Sequence, residues 1–239
     1  MVTCARIARS RKRGNEMGSA EQMETAYCHK EERVNAATHA AGLACTLVGA
    51  VVVVAVSIRH GGAWEIAGCV IYAITLVAVY AASTLSHLFH RPRVRHALRI
   101  ADQATIYLFI AGSYTPVAFT WLQGGQWWIL HVAMWAVALA GFTGKTIFTH
   151  KVQHGTVSAA LYLVMGWMPI VAFWPLVQAI PMGLTLWIVA GGLCYTAGMF
   201  FFYYDSRVRY FHAAWHMMVI AGSVCHYLGI LLYCTAPPA

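Results

Sequence analysis

The chain has 239 residues, 60% of them hydrophobic and only 10% charged, with a mean hydropathy of +0.61 and a formal net charge of +8. A soluble domain carries about 25% charged residues, so this balance excludes an ordinary soluble fold and places the chain in the membrane class. The seven cysteines are odd in number and scattered, with no CxxC pair, which excludes a disulfide framework or a thiolate metal knot.

Residues 1–35 are polar and basic, with Arg6, Arg9, Arg11, Lys12 and Arg13 close together. No apolar stretch precedes residue 36, so a cleaved secretory signal is not expected. The segment reads as a disordered cytosolic tail touching anionic lipid, and its Arg run as an orientation signal with no nucleic-acid partner. Met17 and Met23 are alternative starts. Seven apolar runs follow within 36–239, near Ala36–Ile58, Ile66–Phe89, Ala104–Leu122, Trp127–Phe148, Thr156–Leu176, Leu184–Tyr204 and Phe211–Tyr233. Each can cross about 30 Å of hydrocarbon as a helix of roughly 20 residues. The expected fold is an all-α, seven-helix transmembrane bundle in one domain. Pro116 and Pro169 fall inside runs and are expected to kink them.

Lys and Arg set the orientation. Fifteen of the sixteen lie in the tail or in connections on the tail's side, including Arg91, Arg93, Arg95, Arg99, Lys145, Lys151, Arg207 and Arg209; Arg59 is the exception. The N-terminus is therefore expected in the cytosol and, with seven spans, the C-terminus outside.

Polar residues placed by depth converge on one region. His87 ends the second run, Asp102 opens the third, and His212 and His216 open the seventh, all at the expected cytosolic ends. His212 and His216 are four apart, which puts them on one helical face with Cβ atoms about 5–6 Å apart, near enough to grip one ion. Histidine in lipid is costly and asks for a reason. Carboxylates are few: beyond the N-terminal segment only Glu65, Asp102 and Asp205 remain, with Glu32 at its edge.

Three neutral imidazoles with one open position form a common catalytic zinc pattern, in which the pKa of bound water falls to near 7. His87, His212 and His216 are the expected ligands. Asp102 holds the water as an outer base or orients a ligand histidine. Ser83, four before His87 on the same face, hydrogen-bonds the water or a substrate carbonyl. The HxxxH spacing is weak by itself, lacking the glutamate of HExxH; the shared depth of four groups carries the reading. His226 is ten residues past His216, about 15 Å along the helix, and reads as packed or hydrogen-bonded.

Other features read more plainly. Glu32, Asn35 and His39 form one stripe at the entrance of the first helix; capping and docking is the simpler reading, contact with the metal region the other. Lys145 lies in Gly141-Phe-Thr-Gly-Lys-Thr146, where a phosphate-binding loop needs glycine at Leu139, so it reads as a lysine snorkelling to the interface. Trp64, Trp121, Trp127, Trp128 and Trp174 read as interface anchors.

Several stretches also resemble a known family. Glu32-Arg-Val-Asn-Ala-Ala-Thr-His39, Ser83-Thr-Leu-Ser-His87, Asp102 with Ile106-Tyr-Leu-Phe-Ile-Ala-Gly-Ser-Tyr-Thr-Pro116, Tyr162-Leu-Val-Met-Gly-Trp167, Gly191-Gly-Leu-Cys-Tyr-Thr-Ala-Gly198 and His212-Ala-Ala-Trp-His216 follow in order over nearly all of Glu32–Tyr233. By these the chain is identified as a member of the hemolysin III family, within the progestin and adipoQ receptor superfamily. The resemblance implies a seven-helix bundle in the plasma (bacterial inner) membrane, with zinc near the cytosolic face held by His87, His212 and His216. Asp102 and Ser83 match the family's helix-three aspartate and helix-two serine. Receptor relatives and the similar alkaline ceramidases are associated with hydrolysis of lipid amides such as ceramide; bacterial members carry the hemolysin name. This chain departs with Gln103 where many members have histidine, and with Ser86 where tyrosine is common.

Two functions compete. One is a zinc-dependent hydrolase of a lipid amide drawn from the membrane, with Asp102 relaying a proton to the leaving nitrogen. The other is a non-enzymatic sensor or pore in which zinc only ties helices together; a direct Asp102–zinc bond would close the site with four ligands and favour it. Bis-histidine heme is disfavoured, because it needs ligands facing across the bundle and the candidates cluster at one end.

Overall fold

The computed structural model describes residues 19–123, 128–147, 155–169 and 177–236. Among these residues there is no β-strand, and seven main α-helices follow in chain order: α1 (Ser19–His60), α2 (Ala63–Leu88), α3 (Pro92–Trp121), α4 (Trp128–Ile147), α5 (Gly155–Trp167), α6 (Met182–Tyr204) and α7 (Phe211–Tyr233). Five of them are long and apolar enough to cross a membrane: α1 over Lys30–His60, α2, α4, α6 and α7. α3 dilutes its apolar run with Tyr107, Tyr114, Thr115 and Thr120, all buried in the bundle. α5 has 13 described residues, short of a span.

Helix ends depart from the expected runs for local reasons. α1 starts at Ser19, well before Ala36, because Ala20-Glu-Gln-Met-Glu24 are strong helix formers; the basic cluster Arg6–Arg13 lies outside the described residues. With 42 residues, α1 is about 63 Å long, twice the hydrocarbon thickness. α3 begins with Pro92 at its first turn, where a missing N–H costs nothing, and adds just over three turns ahead of residue 104. Pro116 is accommodated within α3. α5 ends at Trp167, two residues before Pro169, because proline disfavours helix in the residue before it. Trp127 and Trp174 lie outside the described residues.

The helices close a ring. α2 packs between α1 and α3; α5 joins α3 to α6; α6 packs on α7, and α7 returns to α1, with α4 set against α3. Small residues permit the tightest crossing. A Cβ on Gly68 would stand 3.0 Å from Pro116 Cα, and one on Gly112 would stand 2.1 Å from Thr75 Oγ1, so α2 and α3 approach nearly backbone to backbone. Tyr72, Leu76, Tyr80, Met134 and Leu184 fill the interior, whereas Val51, Ile129 and Val164 are more than two-thirds exposed. Such an apolar exterior marks a surface made for lipid.

Lys145 differs from its expected role. It is buried, and its Nζ donates to Ser158 Oγ at 3.1 Å, tying α4 to α5 instead of snorkelling outward.

Candidate metal centre

The centre forms where α2 ends and α7 begins. The turn into α7 is set by Tyr210, a non-glycine residue in the left-handed region (φ 62°, ψ 4°). Its N–H donates to Glu31 Oε1 at 2.7 Å, so α1 holds the entry to α7 in place. His212, the second residue of α7, and His216, one turn further on, face His87 from the last turn of α2. Ring centroids are 4.4 Å apart for His212–His216, 5.2 Å for His87–His216 and 5.4 Å for His87–His212. One ligand atom from each ring lies within 4.8 Å of the others. The three histidines expected as a set are thus brought together, from helices separated by more than a hundred residues.

The partners of the rings bear on metal fit. His87 Nδ1 meets Glu32 Oε2 at 2.8 Å, and His212 Nδ1 meets Asp205 Oδ2 at 2.8 Å. Each carboxylate accepts the Nδ1 proton, which leaves Nε2 with the lone pair, the outer arrangement seen around metal-binding histidines. His216 is 3% exposed, and neither of its nitrogens has a partner. Buried polar atoms without partners are rare and costly. Two pre-oriented rings beside a third with unfilled nitrogens is a donor set that fits a borderline-soft divalent ion such as zinc.

Asp102 and Ser83 stand beside this set. Ser86 Oγ donates to Asp102 Oδ2 at 3.3 Å. Asp102 precedes the third apolar run by two residues; burial pushes its carboxyl above the ordinary value, and His87, then Ser83 by hydrogen bonding, pull it back. Ser83 is buried one turn before His87. Asp102 is not among the converging ligand atoms. His226 lies away from the centre, its Nε2 against Ile188 O at 3.2 Å, as a hydrogen-bonded interior group.

Three participants go beyond the expected ligands, base and serine. Glu32 takes the second of its two expected roles, contact with the metal region: it is an outer partner of His87 and is itself gripped by Arg95, with Arg99 at 3.8 Å. Asp205 orients His212 across the turn between α6 and α7. Ser86 holds Asp102 through a hydroxyl. The scarcity of carboxylates pointed toward Glu32 and Asp205, but nothing local paired them with particular rings.

A cavity of about 200 Å³ lies within the bundle, lined mostly by apolar and aromatic side chains including Ile106, Tyr162, Met199, Trp215, Tyr195 and Ile230. From Trp215 to Ile230 it follows α7 for roughly 22 Å at 1.5 Å per residue. The three histidines do not line it, although Trp215 adjoins His216 in sequence.

Spanning helices, a lipid-facing apolar surface and a histidine cluster at one end of the bundle define an integral, multi-pass membrane protein with a metal-competent centre. The chain belongs to the haemolysin-III related family, whose model matches residues 27–227. It is 33% identical over 205 residues to Hemolysin-3 of Bacillus cereus, covering 85% of this chain and 92% of that one. The Hemolysin-3 homolog of Bacillus subtilis (strain 168) is also 33% identical, over 210 residues, with 87% and 97% covered. The human Monocyte to macrophage differentiation factor is 29% identical over 215 residues, with 87% and 86% covered. No solved structure gives a significant match.

Proposed function

We propose that the protein is a zinc-dependent hydrolase of lipid amides of the ceramide type, with its N-terminus and metal centre on the cytosolic side. The observation that carries this reading is the convergence of three imidazoles, His87, His212 and His216, with Asp102 outside their group. Those three would hold the ion. Three protein ligands and an open position characterise catalytic zinc, whereas structural sites close with four. When bound, zinc supplies Lewis acidity, polarising a carbonyl and acidifying water.

The chain's own groups supply the rest. Glu32 and Asp205 fix the tautomers of His87 and His212. Asp102, steadied by Ser86, accepts a proton from the attacking water at its carboxylate and returns it to the leaving nitrogen. Ser83 orients the substrate carbonyl. The apolar cavity along α7 accepts the acyl chain and excludes water from it.

A second reading, a pore or sensor with a structural ion, is favoured by the name Hemolysin-3 carried by the Bacillus cereus relative. Metal analysis of purified wild type and His216→Ala, with fatty-acid release from ceramide measured in parallel, separates the two. Zinc and ceramide turnover are expected in wild type, and both are lost in the variant. Unchanged stoichiometric zinc in the variant removes His216 from the ligand set. Zinc without turnover, together with zinc-independent dye leakage from liposomes, supports the pore.

A further inference from the structure

We propose that His226 is a polar subsite in the apolar cavity, where its imidazole accepts a hydrogen bond from a hydroxyl carried midway along a bound acyl chain. The inference rests on the reading of the cavity as an acyl site and deepens it. His226 stands on α7 and lines the cavity opposite Ile188 of α6. Its Nε2 lies 3.2 Å from Ile188 O. A carbonyl oxygen only accepts, so the proton sits on Nε2 and Nδ1 carries a bare lone pair. Among the described residues nothing donates to Nδ1. Packing does not seal it, as it seals the nitrogens of His39 and His216.

α6 is shaped to hold the ring this way. A Cβ on Gly191 would stand 2.2 Å from His226 Cδ2 and 2.5 Å from Nε2, so glycine at this position lets the imidazole lie against the helix. Tyr195 closes on the ring edge to face, with centroids 5.4 Å apart at 77°. Apolar packing would tie α6 to α7 without placing a polar ring at membrane depth, so an acceptor left open toward a cavity points to a ligand. Ser113, Tyr162 and Thr185, also on the wall, already give their hydroxyl protons to backbone carbonyls. The open group is an acceptor, so the ligand must donate, and on an otherwise apolar chain the donor is a hydroxyl. His226 lies ten residues past His216, about 15 Å along α7. An extended chain advances roughly 1.2 Å per atom, so a chain whose carbonyl sits level with His216 brings about its twelfth carbon to His226.

The test compares two isomers of hydroxystearate, one with its hydroxyl on about the twelfth carbon and one with it beside the carboxyl. The full-length protein in detergent is stripped of metal, so the result stands apart from zinc uptake and from hydrolysis. Native mass spectrometry with an equal mixture of the isomers, one carrying deuterium, reads the ratio bound. Wild type is expected to favour the mid-chain isomer roughly 3–10-fold, the effect of one hydrogen bond. His226→Leu is expected to bring the ratio within about twofold of unity, with the total chain bound unchanged. His226→Gln keeps a donor for Ile188 O and an acceptor for the ligand, and is expected to retain part of the preference. No preference in wild type overturns the proposal, and so does a preference that survives in His226→Leu. Loss of both isomers from a folded His226→Leu also overturns it, since the ring would then only shape the cavity. Binding of neither isomer to wild type overturns the acyl reading of the cavity as well.

Discussion

Glu32→Ala tests how the centre is built. Glu32 Oε2 takes the Nδ1 proton of buried His87 at 2.8 Å, while its other oxygen is gripped by Arg95. Removing the carboxylate frees His87 to turn and to change tautomer, which typically costs about 10–100-fold in metal affinity, or about 1.4–2.7 kcal/mol. The lost Arg95 contact is partly exposed and adds only about 0–1 kcal/mol to the loss of fold stability. Glu32→Gln keeps an amide oxygen as acceptor and is expected to lose less than roughly tenfold in affinity. Arg95→Met is the control: it removes the ion pair without touching His87, and zinc affinity is expected to stay within about twofold of wild type. Chelator competition gives the affinities, and thermal unfolding of the metal-free proteins gives the stabilities. Wild-type affinity in Glu32→Ala would refute the reasoning. So would an equal loss in Arg95→Met, since Glu32 would then act through the fold and not through the ring.

Two further expectations concern the bundle. Gly112→Ala puts a Cβ 2.1 Å from Thr75 Oγ1 and 2.9 Å from Thr75 Cβ, so α2 and α3 must part; thermal unfolding in detergent should show a loss of about 1–3 kcal/mol, partly restored by adding Thr75→Ala. Ser223 Oγ meets both Tyr80 and Tyr195 hydroxyls at 3.0 Å, joining α7 to α2 and α6. Ser223→Ala breaks both bonds and is expected to cost about 1–2 kcal/mol by the same assay, with zinc binding unchanged.

Membrane class, helical composition and the three-histidine set were all legible in the sequence. Low charge and long apolar runs leave only helices as a way to satisfy the backbone in lipid. Spacing alone put His212 and His216 on one face of α7, because helical periodicity is local. Depth then matched them with His87, since basic connections order the helix ends. The family resemblance agreed with this at the same residues, and the match to residues 27–227 bears it out.

Only the tertiary structure decided which polar group serves which ring. Glu32 and His87 are 55 residues apart, and no periodicity links them; they meet because α1 runs past the end of α2. His39 read either as a docking residue of α1 or as a neighbour of the metal region, and the packing of α1 on α7 decides for the second by setting that ring against His216. Lys145 looked like an outward-reaching cation until α5 placed Ser158 over it. A sequence specifies faces and depths, which follow from residue spacing along one helix. The pairing of faces depends on how helices cross, and close approaches at residues such as Gly68 and Gly112 settle that only when all the helices pack at once.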